Sequence, residues 1–288
     1  IEKKFRFKEV LTKARFHAIN IAKDQIEKGC RKIIVVGGDG TLNEVVNGVF
    51  IQKKYPTKDI TIGMITVGTG NDWGRMYRIP FKYKKAIKVL KKGKTFVQDA
   101  GKVRYQLNGN TENRYFVNMA GMGFDALVAQ KTNALKEKGR GGTTAYLYNL
   151  MTGLFQYKIT RLKIDVDNKD VFDGDVFSMS LGICKYNGGG MMQLPDAIPD
   201  DGLFDLTVIR KTSKFKIIRN IKNLYDGSFV KLDEVSTFRG SYIRVVSIPE
   251  KSVFLETDGE SLGHSPLEFE IIPSSVKVIV NKKFLKGE

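Results

Sequence analysis

Residues 35–48, VVGGDGTLNEVVNG, place three glycines around a single aspartate, Asp39. An apolar, β-branched run at 32–36 precedes the glycines, and Leu42, Val45 and Val46 follow them at helical spacing. This pattern predicts a turn that leads from a strand directly into a helix.

Two interpretations of this turn are open. Glycines at a helix N-terminus let a phosphate approach the main-chain N–H groups, which would make residues 37–41 an anion-binding loop. Alternatively, the glycines form only a tight turn and Asp39 caps the helix. A second turn, TVGTGNDWGR at 66–75, repeats the same features. Since ligands of open α/β sheets bind at the carboxyl ends of strands, the pair of turns favours a nucleotide site.

The first part of the chain alternates helices and strands. A helix with Ala18, Ala22 and Ile26 on one face ends at Gly29, and strands are predicted at 33–36 and 60–67, with a basic helix near 84–92. This alternation predicts a parallel α/β sheet.

Beyond about residue 95 the apolar pattern changes to period two. Alternating runs occur at 162–166, 177–181, 242–246, 253–255 and 276–280, with a helical insertion around 144–156. We therefore expect an α/β nucleotide-binding domain at 1–95 and an all-β sandwich or barrel domain at 96–288, whose last residues could pack back on the first domain.

The composition is that of a globular protein with an anionic partner. The 288 residues carry 48 basic and 31 acidic side chains, a formal net charge of +17. This excess favours a nucleotide, nucleic acid or an acidic membrane surface. Two distant cysteines and two histidines indicate no disulfide framework or zinc site, so a reducing cytoplasm is the expected location. Apolar runs stay below the roughly 18 residues of a membrane span, so we expect only peripheral membrane contact.

Five motifs in a fixed order give a specific resemblance: GGDGTLNEVVNG (37–48), GTGNDWGR (68–75), NMAGMGFDA (118–126), GGGMMQLPDAIPDDGLFDL (188–206) and TDGE (257–260). Together they resemble the catalytic-domain family of diacylglycerol kinases, and most of all its bacterial soluble lipid kinases. The resemblance implies an α/β domain, a β-sandwich domain, ATP and Mg²⁺ as cofactors, and a lipid hydroxyl as phosphate acceptor, diacylglycerol first.

The resemblance also assigns residues. It implies ATP contacts at Gly37, Gly38, Asp39, Gly40, Thr41, Leu42, Asn43, Thr69 and Asn71. Asp39, Asp72 and Asp125 would form an acidic network around magnesium, and Asp258 would be the general base with Glu260 as its acidic neighbour. Without the resemblance, Asp258-Gly259 is typical of a hairpin turn.

The resemblance also implies a second, structural magnesium site formed by the Ile198 carbonyl, the Asp201 carboxylate and the Leu203 carbonyl. Oxygen ligands of this kind suit a hard divalent ion. The alternative for residues 200–202 is a plain turn between strands. One family feature is not found: a first strand that ends in an N-P-x-S-G turn does not precede Phe5. Either this chain lacks that strand, or part of its ATP site is built differently.

Other function classes remain alternatives. NAD kinases share GGDGT, and a lipid carrier could retain the fold with a degenerate site. A nucleic-acid-binding protein is disfavoured because no helix-turn-helix, zinc-finger or RNP signature is found. A homodimer is an open arrangement. Candidates for membrane contact are Lys82, Lys84, Lys85, Lys88, Lys91, Lys92 and Lys94, and the open alternative for each of them is a solvated helix face.

Overall fold

The computed structural model describes residues 6–68, 70–137 and 152–287. The chain divides into two units, of which the first comprises Ile1–Gln98 with Ser274–Glu288 and the second comprises Asp99–Pro273. The sequence placed a boundary near residue 95, and the division in the structure falls between Gln98 and Asp99. No helix of the described residues is long and apolar enough to cross a bilayer.

The elements alternate in the first third of the chain and are mostly strands thereafter. The α-helices are α1 (His17–Glu27), α2 (Asp39–Ile51), α3 (Asp72–Met76), α4 (Tyr83–Lys92), α5 (Phe124–Glu137), α6 (Lys214–Asn220), α7 (Asn223–Asp226) and α8 (Lys282–Leu285). The strands are β1 (Lys32–Gly37), β2 (Thr61–Thr66), β3 (Lys94–Leu107), β4 (Asn110–Phe116), β5 (Met119–Gly123), β6 (Thr160–Val166), β7 (Lys169–Gly182), β8 (Phe204–Arg210), β9 (Val235–Gly240), β10 (Tyr242–Ile248), β11 (Phe254–Thr257) and β12 (Glu260–Val280). Residues 152–156 are also helical, and the rest of the insertion predicted at 144–156 lies outside the described residues.

The first unit contains a parallel sheet. β1 pairs parallel with β2 from Lys32–Thr61 to Gly37–Thr66, and β2 pairs parallel with the end of β12 at Thr61–Lys277. The run 276–280 was predicted as a strand of the all-β half, with the last residues of the chain able to pack back on the first domain. The structure instead pairs it with β2, because alternation alone does not determine which strand is the neighbour.

Helix α1 is held against α2 by a polar contact inside the glycine motif. The buried Glu44 carboxylate accepts hydrogen bonds from the N–H groups of Phe16 and Ala18, each at 2.9 Å. Two N–H groups at the start of α1 thus gain an acceptor that the helix itself does not provide. A Cβ on Gly48 would lie 2.5 Å from the Ile19 carbonyl oxygen, so glycine permits this close helix packing.

The second unit is antiparallel. β7 pairs with β5, β6 and β8, and β6 also pairs with β10, which in turn pairs with β12. The inward side chains of these strands form one large apolar core. Phe116 stacks on Phe204 with 5.8 Å between ring centroids and meets Phe269 edge-on at 6.3 Å. Period-two alternation therefore predicted this part of the fold correctly at 162–166, 177–181 and 242–246.

Candidate active site

The first glycine turn connects β1 to the N-terminus of α2. Gly38 is extended (φ −98°, ψ −171°) and α2 begins at Asp39, so the first-turn N–H groups of residues 39–41 have no acceptor within the helix. Residues 37–41 are half-buried, whereas the side chains of Leu42 and Asn43 are buried. A ligand can therefore reach the main chain of the turn but not these two side chains.

The two glycine turns touch each other. A Cβ on Gly68 would lie 2.8 Å from the Gly38 Cα, and the Val67 N–H donates to the Gly37 carbonyl at 3.0 Å. Contact between the turns therefore requires glycine at position 68, whereas a Cβ on Gly38, at 3.2 Å from the Gly68 Cα, would only crowd the other turn.

Asp39 joins the turns through its side chain. Its Oδ2 accepts a hydrogen bond from the Asp72 N–H at 3.1 Å, and its Oδ1 accepts one from the Trp73 N–H at 3.3 Å. Asp39 is the first residue of α2 and Gly38 is the N-cap, and the Asp39 carboxylate binds the first turn of α3.

The carboxylates of Asp39 and Asp72 converge on Gly70. A Cβ added to Gly70 would lie 3.2 Å from Asp39 Oδ2 and 3.1 Å from Asp72 Oδ2. Carboxylate oxygens are the ligands that a hard divalent ion prefers, and Gly70 has no side chain to occupy the space beside these two. Arg75 Nε lies 3.8 Å from the other Asp72 oxygen, Oδ1, and leaves Oδ2 facing Gly70. The two oxygens beside Gly70 therefore fit two of the ligands of a magnesium ion.

The remaining residues of the second turn have different positions. Asn71 adopts a left-handed conformation (φ 52°), its Oδ1 accepts the Gly68 N–H at 3.0 Å, and its Nδ2 donates to the Gly68 carbonyl. The amide that was predicted to bind ATP thus holds the turn together. Thr69 lies outside the described residues.

In the second unit, Asp258 lies in the hairpin between β11 and β12. Its carboxylate accepts three backbone hydrogen bonds, from the N–H groups of Val117 (3.1 Å), Asn118 (3.1 Å) and Met119 (3.0 Å). Asp258 and Gly259 both have positive φ, as a two-residue type I′ hairpin requires. The hairpin that the bare sequence predicts is present, and it brings the Asp258 carboxylate to the start of β5.

Glu256, which is buried, and Asp125, which is half-buried, form an acidic pair of which the sequence indicated only Asp125. A Cβ on Gly121 would lie 2.5 Å from Glu256 Oε1 and 3.0 Å from the Asp125 Cβ, so both acids lie beside this glycine. The Glu256 carboxylate accepts hydrogen bonds from the Gly259 N–H (2.8 Å) and from Asn187 Nδ2 (3.2 Å). Glu256 was missed because it looks like one more strand residue.

Burial changes the charge state of this pair. Loss of solvation, helped by the nearby charges of Asp125 and Asp258, raises the pKa of Glu256 to about 8 against the opposing hydrogen bonds from the Gly259 N–H and the Asn187 amide. Desolvation also raises the pKa of Asp125 to about 6, while the Ser180 hydroxyl, which donates at 3.0 Å, lowers it. Glu256 is therefore largely neutral at pH 7. Glu260, the proposed acidic neighbour, begins β12 and is half-buried.

The second predicted metal site has a cation of its own. Asp201 Oδ1 accepts the Leu203 N–H at 3.1 Å, and its Oδ2 is bound by the Arg239 guanidinium. Arg239 Nε also lies 3.2 Å from Asp205 Oδ1, while the Ile198 side chain is about half exposed. Because Arg239 already neutralises this carboxylate, the residues do not fit a divalent ion here. No group of three or more metal-ligating side chains is found among the described residues.

Family models of known proteins match both parts of the chain. The model of the diacylglycerol kinase catalytic domain matches residues 1–103, and the model of the YegS C-terminal NAD kinase beta sandwich-like domain matches residues 118–280. The chain belongs to the diacylglycerol kinase family, whose members are lipid kinases.

Individual relatives cover most of the chain. A diacylglycerol kinase of Staphylococcus carnosus (strain TM300) is 31% identical over 261 residues, which is 91% of this chain and 80% of that one. A diacylglycerol kinase of Mycobacterium tuberculosis (strain H37Rv) is 28% identical over 255 residues, 88% of this chain and 78% of that one.

Solved structures give the same result for the fold. A Bacillus anthracis str. Sterne protein assigned as a diacylglycerol kinase superposes with a TM-score of 0.73 at 25% identity, over 94% of this chain and 85% of that one. Yeast NADH kinase in complex with NADH reaches a TM-score of 0.51 at 15% identity, over 92% and 66% of the two chains. This second likeness concerns the fold alone.

Proposed function

We propose that this lipid kinase transfers the γ-phosphate of ATP to the hydroxyl of diacylglycerol and forms phosphatidic acid. The observation that carries the proposal is the convergence of the Asp39 and Asp72 carboxylates beside two glycine turns, in a unit that matches the diacylglycerol kinase catalytic domain. NAD phosphorylation, the alternative within the same fold, is supported by the shared GGDGT motif and by the likeness of the fold.

The glycine turn is proposed to bind the phosphates of ATP. Its N–H groups at residues 39–41 and the positive end of the α2 dipole attract negative charge. Asp39 and Asp72 would hold magnesium, which supplies charge neutralisation to the transferring phosphoryl group. Asp39 is oriented for this role by the N–H groups of Asp72 and Trp73.

Asp258 is proposed to accept the proton of the lipid hydroxyl. The three N–H groups of residues 117–119 fix the direction of its carboxylate, and placement matters more than strength for a base in phosphoryl transfer. Glu256, neutral at pH 7, stays within the electrostatic range of Asp258 without adding a second negative charge.

The lipid substrate implies contact with a bilayer. A basic protein is attracted to anionic lipid at about 1 kcal/mol for each Lys or Arg near the surface. The net charge of +17 therefore supports peripheral binding to an anionic membrane.

The test is a phosphate-transfer assay with radiolabelled ATP and a panel of diacylglycerol, a sphingoid base, a polyprenol and NAD. We expect label on diacylglycerol and loss of the signal in Asp72→Asn. Asp59→Asn, an exposed acid of the same unit, is the matched control and should retain activity. Label on NAD, or on none of the lipids, would overturn the proposal.

A further inference from the structure

Helix α6 of the second unit exposes apolar and basic side chains together on one face. The exposed residues recur at spacings of three and four, which places them in one stripe along the helix. They are Lys214, Phe215, Ile218 and Arg219 of α6 and Lys222, which follows the helix, and we call this stripe the α6 surface. Ile221 and Lys222 keep helical backbone angles, so the stripe continues past the end of α6.

The apolar members of the α6 surface are unusually open to water. Phe215 is 76% exposed, and Ile218 is 39% exposed. The opposite side of the helix is occupied differently, since Ile217 packs against the cluster that contains Phe124, Phe177 and Leu154. The helix is thus anchored to the unit by one side, and Phe215 takes no part in that anchoring.

A second aromatic ring lies beside the stripe. Phe155 is 61% exposed, and its carbonyl accepts a hydrogen bond from Lys214 Nζ at 2.9 Å. The same ammonium group lies 5.2 Å from the centroid of the Phe155 ring. Phe155 therefore belongs to the surface that starts at the N-terminus of α6, and two exposed phenylalanines flank one lysine.

The region around α6 is predominantly basic. Residues 211–231 contain six basic side chains and a single acidic one. Lys211 and Lys216 are paired with Asp175 and Glu234 respectively. Of the other four basic residues, Lys231 lies outside the α6 surface. No carboxylate of the described residues lies within 4.0 Å of the charged groups of the three that belong to it, Lys214, Arg219 and Lys222.

We propose that the α6 surface, with Phe155, is the site at which the protein docks on an anionic lipid bilayer. Aromatic side chains bind at the boundary between headgroups and acyl chains, and lysine and arginine beside them reach the anionic headgroups. A surface for a folded protein would need partner carboxylates for the three cations, whereas a bilayer with anionic headgroups provides them at any register. The proposal locates the membrane contact of the proposed function in the second unit and rests on that function.

Co-sedimentation with vesicles tests the proposal. Vesicles of phosphatidylcholine alone are compared with vesicles of equal parts phosphatidylcholine and phosphatidylglycerol. We expect the protein to bind the anionic vesicles, Phe155→Ser/Phe215→Ser to bind at least about tenfold more weakly, and Lys214→Gln/Arg219→Gln/Lys222→Gln to do the same. Phe254→Ser, which removes a 51% exposed phenylalanine of β11 in the same unit, is the control and should bind like the parent protein.

Two further measurements keep the outcomes distinct. Lys84→Gln/Lys88→Gln/Lys91→Gln neutralises the exposed face of α4, the basic helix that the sequence favours. If these changes abolish vesicle binding while the α6 changes do not, the proposal is overturned. It is also overturned if the α6 changes leave vesicle binding intact and abolish binding of a protein partner instead. Turnover of a short-chain diacylglycerol in solution separates this result from the proposed function. Normal turnover in an α6 variant that has lost vesicle binding supports docking at α6. Vesicle binding without turnover in the parent protein overturns only the proposed function.

Discussion

A Cβ on Gly38 would lie 3.2 Å from the Cα of Gly68, so the two glycine turns of the first unit meet backbone to backbone. This contact places the N-terminus of α2 next to the N-terminus of α3, and the Asp39 side chain crosses between them. The two turns therefore pack as one unit, so a side chain added at one glycine would push on the other turn.

Gly38→Val should weaken ATP binding by more than about tenfold, or 1.4 kcal/mol, because the added atoms block the approach of phosphate to the main chain. It should also reduce the free energy of unfolding by about 1–3 kcal/mol, because it crowds Gly68. Calorimetric titration with ATP and urea denaturation measure the two effects. Gly174→Ala, whose Cβ would lie 3.3 Å from the Phe172 ring, is a control for crowding alone. Unchanged ATP affinity in folded Gly38→Val would contradict the phosphate-binding role.

Sequence periodicity predicted the helices and strands of the first unit well. Helices near 18–26 and 84–92 and a strand at 60–67 appear as α1, α4 and β2 with ends shifted by a few residues. The return of the last residues to the first unit was raised from the sequence, but not their pairing with β2, because the partner of a strand depends on long-range packing.

The side-chain roles were harder to infer. The same motif, GGDGTLNE, contains Asp39, which binds α3, and Glu44, which holds the start of α1. Nothing in a one-dimensional pattern separates an acid that faces a ligand loop from an acid that faces a helix end. Glu256 illustrates the same limit, since its importance comes from burial beside Asp125. These two residues belong to segments that are far apart in the chain.

Asp258→Asn should lower kcat by roughly 10²-fold, the usual scale for the loss of a general base. The structure adds that the asparagine loses one of three backbone contacts, because its Nδ2 cannot accept a hydrogen bond. Single-turnover kinetics beside thermal unfolding separates the chemical effect from the structural one. The control is Asp167→Asn, at another turn, where the carboxylate accepts the N–H groups of Ser241 and Tyr242. If Asp258→Asn lowers the melting temperature and leaves kcat within a few-fold of the parent, Asp258 is an anchor and not the base.

Glu256 should make the protein less stable as pH rises. Its pKa is about 8 in the folded protein against 4.5 for a free glutamate, so the folded state retains a proton that the unfolded state releases between these values. The free energy of unfolding therefore falls from about pH 4.5 to about pH 8 and levels off above that. Glu256→Gln imitates the protonated side chain and should flatten this slope. Urea denaturation at about pH 5, 7 and 9 measures it, and an equally steep slope in Glu256→Gln would show that Glu256 does not titrate in this range.

Arg239 should stabilise residues 198–205 by neutralising their carboxylates, the role that was expected from the sequence for a structural magnesium ion. The guanidinium binds Asp201 and lies 3.2 Å from Asp205, so its removal leaves the largely buried Asp205 carboxylate without a cationic partner. Arg239→Met should reduce the free energy of unfolding by about 1–3 kcal/mol, and millimolar Mg²⁺ should restore part of the loss by binding the exposed carboxylates. The parent protein without nucleotide should melt at the same temperature with EDTA as with Mg²⁺. Arg104→Met, which breaks an exposed 2.8 Å ion pair with Glu268 in the same unit, should cost less than about 1 kcal/mol and show no response to Mg²⁺. A parent protein that loses stability in EDTA, with the loss abolished by Asp201→Asn, would instead place a metal ion at Asp201.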